Sequence, residues 1–327
     1  MQVRSATVND ATAIVKLHVA ENPFETWFRN PLTRESPCSY DDLTPFQRLL
    51  HGGDWMDDSL CRRHIHEYIT RGFPITVAEE GGKIVGECEL WLADEGPPFK
   101  KYAAIEMLIG SKDAGKESVE RLLLEKIEER SIKMGIRNLD VDPEHGRDSL
   151  DFRRLGFKEL WDTRECEIDL KEMDEPDVDF RVTPVAEDYR ITGFLQPWNH
   201  KQPPQLRFEI ALAAWPPSKI AGVDRHSKHL LVRVKVDLLQ LEFLLLASRC
   251  DFLAETVTEV DIWSGSSEAR RTDSVQVIVK CAAATAERLG AGLLRVFVPK
   301  HFLPAMRELG FRGGEKQSPW LRKELKD

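Results

Sequence analysis

The sequence predicts an α/β protein with a mixed sheet, arranged as two tandem domains. The length of 327 residues is well above the ~150 residues of an ordinary domain. In the first half, a run of strands precedes alternating strands and helices, an order typical of a mixed sheet covered by helices. The last part of this half recurs near the end of the chain as a helix, a glycine, a strand and a short helix ending in LGF. These observations indicate a degenerate duplication.

The first half begins with a strand and two helices. A strand is predicted at Val3–Ala6, and apolar residues recur at helical spacing from Ala11 to Val19, which predicts a helix. Residues Asn22–Asp58 are irregular and rich in aromatic side chains, and a second helix is predicted over Asp58–Thr70.

Three strands and another helix follow. The first two strands flank Gly81 and Gly82, which can adopt the positive φ of a tight hairpin turn. A strand at Ala103–Ile109 leads through a polar loop into an amphipathic helix that ends near Gly135. The half then closes with three elements: a strand at Asn138–Val141, a short helix over Phe152–Phe157 and a strand at Glu165–Leu170.

The second half is separated by an acidic segment, Lys171–Asp179, which has almost no apolar residue to bury and is predicted to be a linker. The predicted domains are therefore residues 1–170 and 180–327, with the linker at 171–179. In the second domain, a helix over Val275–Leu289 stops at Gly290 and is followed by a strand and the short helix Met306–Phe311.

The composition of the chain indicates which binding partners and which cellular compartment to expect. The net charge of −9 gives no cluster of cations to neutralise phosphates, so nucleic acid is not expected as a partner. The six cysteines form no CxxC pair, as is usual in a reducing cytosol. Because the sequence shows neither a signal peptide nor ~20 consecutive apolar residues, we expect a cytoplasmic protein with no membrane partner, either monomer or homodimer.

The order of elements, with a loop entering a helix after the fourth strand and a short helix ending in LGF, resembles the GCN5-related N-acetyltransferase (GNAT) family. The resemblance implies two tandem GNAT-like acyl-CoA N-acyltransferase domains, with any active site in the first and a more diverged second copy. It implies transfer of an acetyl or other acyl group from the cosubstrate acetyl-CoA to an amine of a small molecule or peptide. The alternative is a non-catalytic ligand-binding or scaffold protein with degenerate cofactor loops.

The loop before the helix departs from the family pattern. In the family it reads Arg or Gln, two residues, Gly, one residue, and Gly or Ala. Here these places fall on Ala114, Glu117 and Val119, so no motif residue is kept. The second half has Arg270, Asp273 and Val275 at the same places and keeps only the arginine.

The resemblance still implies a cofactor site on this strand and loop, because amides at a helix N-terminus bind phosphate and glycine lets it approach closely. The candidate residues are Leu108, Ile109, Lys112, Gly115, Lys116 and Ser118. The alternative is that Glu117 and Ser118 cap the helix. An acidic side chain in the first turn stabilises the helix dipole and repels an incoming phosphate at the same place.

The chemistry requires a proton acceptor and benefits from a proton donor. An ammonium with a pKa of ~10.4 must lose its proton before it attacks, and the thiolate that leaves has a pKa of ~8.5 and gains from protonation. By the resemblance, Glu106 is the candidate base, and the alternative is a strand glutamate that faces solvent. The family often places a tyrosine as proton donor where this chain has Phe152 and Met306, neither of which has a proton to donate.

Two other groups of residues have simpler interpretations. On a helix, Cys61 and His64 share a face while His66 points away, so we expect surface or partly packed histidines and no zinc site. Trp27 and Tyr40 fall where the family shapes its acceptor pocket and could line one. Packing under a long loop is the alternative for both aromatic residues.

Overall fold

The structure is a computed structural model that describes residues 1–22, 26–31, 33–95, 99–143, 150–185, 196–199, 202–212, 214–250, 257–264 and 272–326. The chain forms two compact units. The first comprises Met1–Leu160, Trp215–Val223 and Leu321–Asp327, and the second comprises Trp161–Ala214 and Asp224–Trp320.

The elements up to the end of the first half are, in order, β1 (Gln2–Ser5), α1 (Ala11–Ala20), β2 (Trp27–Asn30), β3 (Glu35–Cys38), α2 (Pro45–Gly52), α3 (Asp58–Thr70), β4 (Ile75–Glu80), β5 (Lys83–Asp94), β6 (Lys101–Gly110), α4 (Lys116–Lys133), β7 (Asn138–Val141) and β8 (Lys158–Asp169). The remaining elements are β9 (Arg181–Pro184), β10 (Gln196–Pro197), α5 (Pro204–Ala211), α6 (Pro216–Ala221), β11 (Ser227–Val236), β12 (Leu241–Cys250), β13 (Val257–Ser264), α7 (Thr272–Ala286), β14 (Leu293–Pro299), α8 (Leu303–Glu308) and β15 (Arg312–Glu324).

The sheet of the first unit has the strand order β1-β4-β5-β6-β7. Neighbouring strands are antiparallel except for β6 and β7, which are parallel. The end of β15 pairs with β7 in antiparallel fashion, from Leu321 opposite Val141 to Glu324 opposite Asn138. Helix α4 packs on this sheet over a core that includes Leu90, Leu108, Leu123 and Ile127. The α/β prediction is therefore confirmed.

The second unit repeats this plan. Its strand order is β8-β14-β13-β12-β11-β9, with one parallel pair, β13 and β14. Helix α7 contributes Val275, Ile278 and Val279 to a core that is completed by buried strand residues such as Ile262 and Val296.

Several predicted elements are confirmed, but the segment Asn22–Asp58, predicted to be irregular, contains β2, β3 and α2. Helix α3 has the predicted bounds, and its first amides are capped by Asp57, whose side chain accepts from the amides of Ser59 and Leu60. The predicted short helix before β8 is instead a series of turns over residues 152–156. No helix in the described part of the chain is long and apolar enough to cross a membrane.

Candidate active site

The central feature of the first unit is an opening between β6 and β7. These strands pair only over Ala103–Ile105 and Leu139–Val141. Within the described residues, no strand pairs with β6 on that side beyond Ile105. Because β5 skips one residue of β6 between Met107 and Ile105, Glu106 forms a β-bulge at the point where the opening begins.

The backbone of β6 presents hydrogen-bonding groups to this opening. The amide of Ser111 donates to the carbonyl of Val85 at 2.8 Å. Because antiparallel pairs alternate between bonded and non-bonded residues, Ile109 is bonded to β5, while the amides and carbonyls of Leu108 and Gly110 point away from it. The Gly110 amide is taken up by the Glu120 carboxylate, which accepts at 3.2 Å.

Helix α4 starts directly after the loop, with Gly115 as its N-terminal cap at φ +80°. The amides of Ser118 and Val119 donate to the Gly115 carbonyl at 2.9 and 3.2 Å. No side chain caps the helix, and the Glu117 carboxylate accepts instead from the Arg121 side chain at 2.6 Å. Glu117 and Ser118 therefore form no capping hydrogen bond, although Glu117 is the acid of the first turn, and the Glu117 amide has no acceptor among the described residues.

Both carboxylates and lysine ammonium groups lie beside this loop. Glu21 accepts from the Lys112 amide at 2.8 Å, and its other oxygen lies 3.8 Å from the Lys112 ammonium. The Lys116 ammonium lies 3.9 Å from the buried Glu120 carboxylate. An anion at this loop therefore meets two lysines whose charges are partly balanced by acids.

Glu106 is buried, with 8% of its surface exposed, so the alternative of a solvent-facing strand residue is wrong. Burial raises the pKa of Tyr68 and Tyr102, and nearby carboxylates including Glu106 raise both pKa values further. Because Tyr68 is on α3, the carboxylate lies on the face of the sheet that α1 and α3 cover.

A buried carboxylate–imidazole cluster lies on the same face. His64 Nδ1 lies 2.8 Å from Asp54 Oδ2, and its Nε2 lies 2.8 Å from Glu89 Oε2. Burial lowers the pKa of His64, but the two carboxylates outweigh it and raise the pKa to about 10. Trp55 donates to Glu89, and Trp215 donates to Asp54 at 2.7 Å. His64 is therefore a buried cation rather than the surface or partly packed histidine that the sequence predicted.

A second buried pair of a histidine and a carboxylate lies two residues earlier along β5. His18 Nε2 lies 2.7 Å from Glu87 Oε2, and both side chains are fully buried. Burial, followed by the charge of Glu89, raises the pKa of Glu87 well above its usual range. Glu87 Oε1 has no hydrogen-bond partner among the described residues.

A groove of about 750 Å³ lies between α1, the turn joining β4 and β5, and the loop after β6. Leu17 and Ile84 line it and pack against Met107 and Ile109 of β6. Lys16, Lys83 and Asp113 supply charges to its lining. The groove therefore reaches Ser111 and Ala114 just after the end of β6, and Glu106 is not among the residues that line it.

The second unit has the same opening but a different carboxylate. Its strands β13 and β14 pair over Val257–Val260 and Leu293–Val296, so Asp261 is the first residue beyond the parallel pairs, as Glu106 is in the first unit. Asp261 accepts from Arg207 Nε and from Asn199 Nδ2, both at 3.0 Å. This carboxylate is therefore engaged by an arginine and an amide.

Other predicted site residues have packing roles. Phe152 is buried against Phe157, and Met306 is fully buried. Trp27 packs edge-on against Tyr40, with ring centroids 5.2 Å apart. In the second loop, Arg270 lies outside the described residues, the side chain of Asp273 is not described, and Val275 is in the core.

No family model matches the sequence, and no curated protein is significantly similar to it. Solved structures are similar to the whole chain. A GCN5-related N-acetyltransferase from Kribbella flavida matches with a TM-score of 0.58 and 14% identity over 99% of this chain and 72% of that one. One from Anabaena variabilis ATCC 29413 matches with a TM-score of 0.61 and 10% identity over 99% of this chain and 73% of that one. A probable N-acyltransferase from Enterococcus faecalis V583 matches with a TM-score of 0.53 and 10% identity over 99% of this chain and 72% of that one.

Proposed function

We propose that this chain, whose fold is that of the GCN5-related N-acetyltransferases, moves an acetyl or other acyl group from acyl-CoA to an amine of a small molecule or peptide. The observation that carries the proposal is the open edge of β6, which runs from the start of α4 to the buried carboxylate of Glu106. All parts of this site are in the first unit.

The residues along this edge suit coenzyme A. Its pantetheine arm is an extended chain with two amides, and an unpaired strand edge binds such a chain by main-chain hydrogen bonds. Leu108 offers one amide and one carbonyl to it. The diphosphate suits the first turn of α4, where the Glu117 amide has no acceptor and Lys112 and Lys116 supply charge. The acids Glu21, Glu117 and Glu120 oppose the diphosphate, so we expect weaker binding than at a loop without them.

Glu106 is placed to act as the base. It accepts a proton from the acceptor ammonium, and the neutral amine then attacks the acyl carbonyl. A C–N bond forms, the attacking nitrogen loses its second proton, and the C–S bond breaks as the thiolate leaves. Phe152 and Met306 have no proton to donate to the thiolate, so water or another residue has to supply it. The groove beside α1 has the size of a small-molecule site and is the candidate place for the acceptor.

Thermal unfolding with acetyl-CoA tests the cofactor part of the proposal. A ligand at ~100 times its dissociation constant adds ~2.7 kcal/mol of stability, whereas a non-binder adds nothing. Lys116→Glu should abolish the shift, and Lys126→Glu, the same charge reversal at an exposed place further along α4, should keep it. No shift for the wild type would favour a non-catalytic protein.

An acceptor screen with Glu106→Gln tests the chemical part. We expect transfer to fall by about 10²- to 10⁴-fold, the usual contribution of a general base, while the thermal shift with acetyl-CoA is retained. Glu125→Gln, on the exposed face of α4, is the control. Equal transfer by Glu106→Gln and the control would contradict the role of Glu106.

A further inference from the structure

The opening of the second unit is occupied by the chain itself. The short strand β10 pairs with the end of β13, with Gln196 opposite Ser264 and Pro197 opposite Trp263. Strand β12 already pairs with the same two residues of β13 on the other edge. Because a strand has only two edges, β10 lies on the edge that faces β14 and fills the opening there.

The pairing continues beyond β10 and is anchored by side chains. The Trp198 amide donates to the Ile262 carbonyl at 2.9 Å. The Trp198 side chain is 3% exposed and packs against Phe302, with ring centroids 5.0 Å apart. Asn199 donates to Asp261, the carboxylate that also accepts from Arg207.

We propose that residues 196–199, the closing segment, seal the opening of the second unit against acyl-CoA, so that each chain has one acyl-CoA site. A strand edge can accept only one added chain, and the groups of β13 that a pantetheine arm would need are already bonded to the closing segment. The inference rests on the proposed function only for the identity of the excluded ligand.

The two openings contrast at the level of single residues. In the first unit, β5 carries Glu89 opposite Met107, and Glu106 bulges out beside it. In the second, Leu246 lies opposite Asp261 and no bulge interrupts the pairing. Leu244 and Leu246 belong to an apolar cluster with Phe208 of α5 and Trp263. The second opening is therefore built for packing by its own chain.

Hydrogen exchange of the full chain, read at single amides with and without acetyl-CoA, tests the inference. The antiparallel register places the amides of Ile262 and Ser264 on the side of the closing segment. We expect both amides to exchange slowly in the ligand-free protein and to be unchanged by acetyl-CoA. Fast exchange without ligand, or slowing when acetyl-CoA is added, would overturn the inference.

Substitution of the side chains that hold the closing segment, Trp198 and Asn199, tests the inference further. In Trp198→Ala, exchange at Ile262 and Ser264 should rise by about tenfold or more through local opening, with Val260 unchanged. Leu238→Ala, at a residue that is 80% exposed in the same unit, should leave all three amides unchanged. If Trp198→Ala unfolds the unit, Asn199→Ala gives the milder version. Rates equal to those of the control in the folded variants would overturn the anchoring.

The same experiment separates this inference from the proposed function. Amides of the first unit between Glu106 and Gly115 should be slowed by acetyl-CoA if the proposed function is correct. If acetyl-CoA does not slow the amides of the first unit, the proposed function fails. The exchange rates of Ile262 and Ser264 in the ligand-free protein still show whether the closing segment is in place.

Discussion

At the scale of single residues, the first unit is distinguished by ionisable groups where strands normally place apolar ones. Glu87 and Glu89 alternate along β5 and are fully buried, each beside a histidine. Burying such charges is costly unless they are paired, so these contacts are expected to be decisive for stability.

Removal of the His64 imidazole should leave Asp54 and Glu89 as uncompensated buried acids. We expect His64→Ala to lower the free energy of unfolding by about 3–5 kcal/mol, as measured by urea denaturation. His66→Ala, at an exposed position two residues along α3, is the control and should change stability by less than about 0.5 kcal/mol. Similar values for the two variants would contradict the ionic role of His64.

The stability supplied by His64 should depend on pH. Its pKa rises from 6.5 in the unfolded chain to about 10 in the folded one, because its carboxylate partners favour the cation. The contribution is therefore complete below about pH 6.5 and is lost as the pH rises through about 10. In urea titrations, the difference between the wild type and His64→Gln should shrink across this range. A constant difference would rule out the titration of His64 as its source.

The sequence could single out Glu106 as a candidate base, but it could not predict this cluster of buried histidines and carboxylates. Two acids two residues apart, as in ECE at residues 87–89, are typical of a strand with one face in water. Here α1 and α3 cover that face, and they supply His18 and His64 as partners. Which helix covers which face depends on tertiary packing, so the period of the strand alone could not reveal it.

At the scale of elements, the close approach of α4 to the sheet positions the proposed diphosphate site. A Cβ atom at Gly86 would lie 2.4 Å from Val119 Cγ1, and one at Gly110 would lie 2.6 Å from the Lys116 carbonyl oxygen. Glycine at both places lets the first turn of the helix lie directly on β5 and β6.

A double-mutant cycle tests this packing. Gly86→Ala should cost about 1–3 kcal/mol through overpacking. Val119→Ala removes the atom that would clash, so the double variant should be more stable than the sum of the single changes predicts. Urea denaturation of the four proteins measures the coupling. Additive costs would show that Val119 does not set the distance between helix and sheet.

The bounds of helix α3 could be predicted, whereas the 13-residue strand β15 was not predicted at all. The predicted helix at residues 152–157 forms only turns, with Leu155 donating to Asp151 at 3.2 Å and Gly156 at φ +92°. A single turn fixes several dihedral angles for few hydrogen bonds, so an LGF ending alone does not specify a helix.

At the scale of the whole molecule, the first unit is built from distant parts of the chain. It includes residues 215–223, which bring Trp215 to Asp54, and residues 321–327, which bring Arg322 to Asp140. The second contact joins residues 182 positions apart. Local sequence patterns carry no signal of such pairs, so the membership of these two segments in the first unit could not be predicted from the sequence.

Arg322 should therefore stabilise the first unit although it lies near the C-terminus. Its Nε and Nη2 each donate to one oxygen of the buried Asp140 at 2.7 Å. Arg322→Ala should cost about 3–5 kcal/mol because the buried Asp140 carboxylate loses its arginine partner. Lys326→Ala, at an exposed neighbouring position, should have little effect on urea denaturation. Equal stability of the two variants would show that the ion pair is dispensable.

Isothermal titration of the full chain with acetyl-CoA tests most directly whether the opening of the first unit is a cofactor site and that of the second is closed. We predict one acetyl-CoA bound per chain, with binding lost in Lys116→Glu and kept in Lys126→Glu. Absence of binding, or two acetyl-CoA molecules per chain, would contradict the account.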